Sequence, residues 1–241
     1  MISKEFQQYY TSISYCKDRS EVFIDFLDYC LYILSAGMIR EEYIRLEKKY
    51  QDTELTTFKR MLEIVADQSE GFKDALGDLF MQHVSHGHNG QFFTPMHVSD
   101  FMASILSTDE LKKNDSICDP TCGSGRMLLS ATKQCVNKSG ERPQCFGSDI
   151  DLNCVKMCTI NMILNSIPGE IAWMDTLTMK HWRSYHIKLI LIYDMWFPSL
   201  TVTGAGETNF ILRLEKTLKE KPGLTEQIKK NIEARQLTID F

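Results

Sequence analysis

The chain has 241 residues, 43% of them hydrophobic and 10% aromatic, with a formal net charge of −5. That apolar content excludes disorder as the default state and is enough for one large or two small domains. The acidic balance speaks against a broadly basic face of the kind that binds duplex nucleic acid unaided.

The first 88 residues read as a helical domain. Ser20 is a candidate cap for a helix in which Val22, Phe23, Phe26, Leu27, Cys30, Leu31 and Leu34 recur at helical spacing, and Gly37 can end it. Residues 26–37 are the longest apolar stretch near the N-terminus; Asp28 interrupts them, they are too short for a bilayer, and no charged leader with a cleavage site precedes them. No membrane association and a cytoplasmic location are therefore expected. Ile44 and Leu46 lie in a charged segment, Phe58, Met61, Leu62, Ile64 and Val65 form one apolar face, and Phe72, Ala75, Leu76, Leu79 and Phe80 form another. His83, His86 and His88 then crowd before Asn89-Gly90, a pattern a polar loop explains as well as a metal site does.

From residue 89 to 241 the pattern changes to alternating strands and helices. Strands are predicted over 116–118, 145–148, 171–174 and 188–193, with helices starting near Gly125, Asp151 and Thr176. Eight cysteines occur, several inside these apolar runs, and reduced core thiols are expected rather than a disulfide framework. Cys118 and Cys122, like Cys154 and Cys158, are spaced more loosely than a zinc knuckle, so no metal is assigned. Gly204-Ala205-Gly206 reads as a turn, and the basic residues Arg213, Lys216, Lys219, Lys221, Lys229, Lys230 and Arg235 are interleaved with glutamates as on a solvated helix face. The last five residues, 237–241, read as a strand.

The informative junction is Asp119-Pro120-Thr121-Cys122-Gly123-Ser124-Gly125. A strand ending in a carboxylate, then glycines, then a helical run is how doubly wound folds hold adenosine-containing molecules. Arg126-Met127 follow, so neither the dinucleotide spacing nor the lysine of a phosphate-gripping loop is present, and a zwitterionic sulfonium ligand without phosphates fits better. In an open parallel sheet the ligand lies beyond the carboxyl ends of the strands, so Asp119, Asp149 and Asp175 are expected to line one crevice.

Gly90-Gln91-Phe92-Phe93-Thr94-Pro95 upstream and Gly147-Ser148-Asp149-Ile150-Asp151 downstream complete an ordered set. Together these stretches resemble the modification subunits of type I restriction-modification systems and the wider class of N6-adenine DNA methyltransferases. The resemblance covers roughly residues 70 to 200, an ordinary domain length. It implies a Rossmann-like α/β fold for S-adenosyl-L-methionine, with a doubly wound, mostly parallel and incomplete sheet behind an N-terminal helical domain. It also implies roles. Asp119, Thr121 and Gly123-Ser124-Gly125 would face the methionine part of the cofactor, Asp149 the ribose hydroxyls, Ile150 the adenine ring and Asp175 its amino group. Thr94 and the backbone from Gln91 to Pro95 would close over the methionine end, with Phe92 or Phe93 as an apolar wall. Met96 stands where family members commonly carry a basic residue.

An adenine-N6 methylase must also flip the base out, stack it and accept hydrogen bonds from its amino group. The family does this with Asn-Pro-Pro-Phe/Tyr; the best register here sets Asp194 at the acceptor and Phe197 at the stacking position, with Met195 and Trp196 replacing both prolines. Losing that preorganisation leaves two implied functions: a DNA methyltransferase or modification-type subunit, or a cofactor-binding relative without transfer that acts as a sensor or assembly subunit. Methylation of a small molecule or protein stays open, because fold alone does not fix the acceptor. DNA affinity is expected to come mostly from a specificity or other partner subunit.

Overall fold

The computed structural model describes residues 3–83, 93–105, 115–207 and 209–220. The chain divides into a large unit, Met1–Ala205, and a small one, Gly206–Phe241. In the small unit the described residues form helix α9, Phe210–Glu220, in which Asn209 accepts from the Leu212 amide. The strand expected over 237–241 lies outside the described residues.

The large unit opens with α1 (Lys4–Ser14), α2 (Arg19–Leu34), α3 (Arg40–Lys49), α4 (Asp52–Gln68) and α5 (Ala75–His83). The cap of α2 is Asp18 rather than Ser20: its carboxylate accepts from the Glu21 amide at 2.9 Å, and Ser20 falls inside the first turn. As expected, the helix stops at Gly37, whose amide donates back to Tyr32 and whose φ of +81° suits a residue without Cβ. Beyond its apolar face α2 buries Asp25 and Asp28. Such charges are tolerated only when paired. Asp25 meets Arg45, Lys49 and Tyr50, and Asp28 meets Arg45 and Lys156.

Lys156 lies far along the chain, in the helix Leu152–Leu164, so this pair ties the N-terminal helices to the sheet region. One hydrophobic core runs from Phe6 through Phe58 and Leu129 to Leu200. The helices and sheet therefore share a core within one unit, and the boundary expected at 88/89 falls outside the described residues.

Helix α6 (Met96–Ile105) precedes β1 (Ser116–Asp119), α7 (Arg126–Ser139), β2 (Gln144–Asp149), α8 (Leu152–Leu164), β3 (Gly169–Asp175), β4 (Lys180–Ile192) and β5 (Met195–Gly204). The sheet order is β1-β2-β3-β4-β5. β1, β2 and β3 are parallel, each crossover carried by a helix, as the alternating pattern predicts. The α/β class with a preceding helical region is thus present. The second half departs from the doubly wound expectation. No helix starts at Thr176; the Asp175 carboxylate instead accepts from the Leu177 and Thr178 amides and the Thr178 hydroxyl, closing a turn. β4 then returns antiparallel along β3, and β5 antiparallel along β4. The strand predicted over 188–193 is the far end of β4. Among the described residues, no helix is long and apolar enough to cross a membrane.

Candidate functional site

The site grows from the carboxyl ends of β1 and β2. Residues 119–125 leave β1 as a tight turn whose Gly123 and Gly125 have φ of +53° and +93°. A Cβ on Gly125 would lie 2.8 Å from Cys158 Sγ, so α8 packs against the turn where only glycine fits. The turn is fastened to β2 by the Cys122 amide donating to the Ser148 carbonyl at 2.8 Å and by the Gly123 amide donating to Asp149 Oδ2 at 2.9 Å. Asp149 Oδ1 accepts from the Asp151 amide, and Asp151 caps α8. Asp119 accepts from the Thr121 amide at 3.1 Å.

Burial pushes both carboxyls above the ordinary range. For Asp119 the neighbouring Asp149 charge adds to this while the Thr121 amide opposes it; for Asp149 the amides of Asp151 and Gly123 pull back. Two acidic groups at one mouth disfavour phosphate and favour hydroxyl donors and cations, and each carboxylate oxygen retains acceptor capacity. Cys122, hydrogen-bonded to Cys158 and buried, has its thiol pushed well up, as an inert core thiol would.

Above the turn lies Phe93, whose ring would be 3.2 Å from a Cβ on Gly123. A cavity of about 100 Å³ lies here, lined by Phe93, Thr94, Asp119, Thr121, Gly123 and Arg126. Ser124 also borders it. The cavity can take a small polar group; a larger ligand would continue outward past Asp149 over Ile150, an apolar side chain that is 63% exposed.

Thr94, Phe93, Asp119, Thr121, Gly123, Ser124, Gly125 and Asp149 are therefore brought together as the sequence suggests. Ile150 borders them, and Pro95 is exposed just before α6. Gln91 and Phe92 lie outside the described residues, as do His86, His88 and the His83 side chain.

Asp175 ends β3 two residues past Trp173, the partner of Asp149, and the adjacent Thr176 hydroxyl donates to the Pro120 carbonyl at 3.3 Å, so the turn after β3 lies beside the turn after β1. The Asp175 carboxylate is held by its own turn, and the Thr178 hydroxyl and amide keep its pKa below the usual range.

Asp194 and Phe197 are not brought to this end at all. β4 pairs Ile187 with Gly169, the first residue of β3, and continues past it; Tyr193 and Asp194, at φ of +46° and +62°, form the two-residue hairpin turn. The turn thus lies about 20 Å beyond the amino end of β3, opposite the acidic strand ends. β5 turns back along β4, so Asp194 and Phe197 lie at the end of the sheet away from Asp119 and Asp149.

Several residues were missed. Asp74, Arg126 and Asn161 underlie the turn, and Trp173 donates its indole N–H to the Ile150 carbonyl at 3.0 Å, its ring tilted against that of Trp182 with centroids 4.9 Å apart. Trp173 and Asp175 share the acidic strand end, which was the available signal; Asp74 gave none.

Comparison with known proteins bears on this arrangement. Residues 72–194, just over half of the chain, match the N-6 DNA Methylase family. The chain is 31% identical over 123 residues to the type I restriction enzyme MpnII methylase subunit of Mycoplasma pneumoniae, covering 47% of this chain and 22% of that protein. It is 28% identical over 104 residues to the type II restriction enzyme and methyltransferase RM.BcgI of Heyndrickxia coagulans, covering 38% and 16%. The matched part thus spans about a fifth of these relatives' length. Among solved structures, the type I restriction-modification system methyltransferase subunit of Streptococcus thermophilus is similar at 16% identity and a TM-score of 0.41, over 72% of this chain and 58% of that one. With the glycine turn, the paired aspartates and the Phe93-Thr94 roof all inside the matched segment, the chain belongs to the N-6 DNA methylase family.

Proposed function

We propose that the slot binds S-adenosyl-L-methionine and that the chain is the methylase, or a modification-type subunit, of an N6-adenine DNA methyltransferase. The carrying observation is the convergence of Asp119 and Asp149 on the Gly123 turn beneath Phe93 and Thr94. When bound, the cofactor would supply an electrophilic methyl group on its sulfonium.

The chain's own groups fit that molecule. Asp119, Thr121 and the turn would surround the methionine end, with Thr94, Pro95, Gln91, Phe92 and Phe93 closing it. Asp149 would accept from ribose hydroxyls, Ile150 would pack on adenine, and Asp175 would meet the adenine amino group at the outer end. Low dielectric around the carboxylates strengthens each hydrogen bond they accept.

Base handling is a separate requirement. Because Asp194 and Phe197 lie at the far end of the sheet, they can serve as acceptor and stacking residue only if the β4–β5 hairpin is brought to the carboxyl ends of β1 and β2. DNA engagement would fall largely to a specificity or other partner subunit, since the basic residues of α9 alternate with glutamates. The second reading, a cofactor-binding relative that lacks transfer, rests on Met195 and Trp196 standing in place of the two prolines.

Calorimetric titration with S-adenosyl-L-methionine tests the common part: a micromolar Kd is expected, and undetectable binding by folded protein ends both readings. Incubation with labelled cofactor and unmethylated genomic DNA separates them. Label on adenine that disappears in Asp194→Ala favours the methyltransferase, and absence of label despite binding favours the silent relative.

A further inference from the structure

We propose that Asp74 and Arg126 are positioning residues that set the height of the ligand slot, and so its selectivity for a ligand with an amino-acid tail. This rests on the cofactor reading above. Asp74 is almost fully buried just before α5, and its carboxylate accepts from four donors. These are the Gly77 amide at 2.7 Å, Ser124 Oγ at 2.5 Å, Arg126 Nε at 2.5 Å and Asn161 Nδ2 at 2.7 Å. One side chain thereby joins the start of α5, the glycine turn, the start of α7 and the middle of α8.

Arg126 carries the connection upward. Its guanidinium donates to Asp74 below, to Asp78 at 2.6 Å beside it, and to the Thr94 carbonyl at 3.1 Å above. It also lies 5.7 Å from the centre of the Phe93 ring. Roof and floor of the slot are thus held by one planar fork, whose fixed geometry a lysine could not reproduce. Each of its three nitrogens donates one bond to protein, three of the five N–H groups. Arg126 lines the cavity, and these bonds let it act on the slot through Thr94 and Phe93.

Gly77 gives independent support. A Cβ there would fall 2.0 Å from Asp74 Oδ2 and 2.6 Å from Ser124 Oγ. The Asp74–Ser124 contact exists only because position 77 has no side chain.

The test compares S-adenosylhomocysteine with 5′-methylthioadenosine, which keeps the adenosine and thioether but lacks the amino-acid tail. Both are titrated calorimetrically into the full chain and into Asp74→Asn and Asp78→Asn. A merely structural role would weaken both ligands alike. Positioning of the slot predicts that Asp74→Asn lowers the preference for S-adenosylhomocysteine about tenfold while methylthioadenosine binding is kept. Asp78→Asn, which removes one partner of Arg126 at a half-exposed site, should lower it about threefold. If Asp74→Asn fails to fold, Asp78→Asn decides. Wild-type preference retained, or equal loss of both ligands, overturns the proposal alone; wild-type protein that binds neither ligand overturns the cofactor reading and this proposal together.

Discussion

The two halves of the sheet use the same kind of apolar strand to opposite ends. In β2 and β3 the side chains of Cys145, Ile171 and Met174 are buried, and the ends of β1 and β2 deliver Asp119 and Asp149 to a low-dielectric turn. Past Ile187, β4 has only β5 beside it among the described residues, and Leu191, Met195 and Trp196 are exposed although the sequence is as hydrophobic. An apolar run specifies a strand; burial requires a second layer, and among the described residues only the first half has one. Shifted carboxyl pKa values and committed buried charges occur where that layer exists, which is why the candidate site lies there.

The comparison can be broken by substitution, beginning with the covered half. Gly169 opens β3 where a Cβ would sit 1.7 Å from the Cys145 carbonyl oxygen, so Gly169→Ala should cost on the order of 4 kcal/mol or more and leave little folded protein by circular dichroism. A well-folded Gly169→Ala protein would mean that β2 and β3 are not packed as described. Next, Asp28→Ala strands Lys156 in the core between α2 and α8 and should cost about 3–5 kcal/mol in urea unfolding. A cost near zero would show that the helices and sheet do not share a core.

Asp119→Asn should act in the other direction. The Asp119 pKa is raised by burial, so the folded state holds its proton more tightly than the unfolded chain does. Wild-type stability should therefore fall as pH rises from the ordinary carboxylate range through the raised value, and the charge remains a cost at neutral pH. The substitution should add about 1 kcal/mol at pH 7, flatten that pH dependence and weaken cofactor binding. A lower Tm at pH 7 would contradict the desolvated carboxylate. On the uncovered half, Trp196→Ser or Leu191→Thr should change stability by no more than about 0.5 kcal/mol. A large loss in either would reveal a partner surface over the hairpin in the protein as studied.

Much of the covered half could be read from the sequence because its signals are local. The glycine turn, its flanking aspartates and the helical crossovers each lie within a short window, where spacing and composition carry the physics. Topology after β3 could not be read this way. Asp175-Thr176 is as good a helix start as it is a turn, and here the carboxylate closes the turn. Nothing in residues 188–193 says which strand they pair with, since apolar periodicity is silent about neighbours. Tyr193-Asp194 also lacks the glycine that usually announces a two-residue hairpin. Asp74 was invisible for a simpler reason: Ser124, Arg126 and Asn161 lie 50, 52 and 87 residues away from it.

The indole pair beside Ile150 has a practical consequence. Of three tryptophans, Trp173 and Trp182 lie 4.9 Å apart with tilted rings beside Ile150, and Trp196 stands 63% exposed on the distant hairpin. A Trp196→Phe protein would keep its indole emission only from Trp173 and Trp182, so that occupancy could be followed optically, with tryptophan-selective excitation, without attaching any dye.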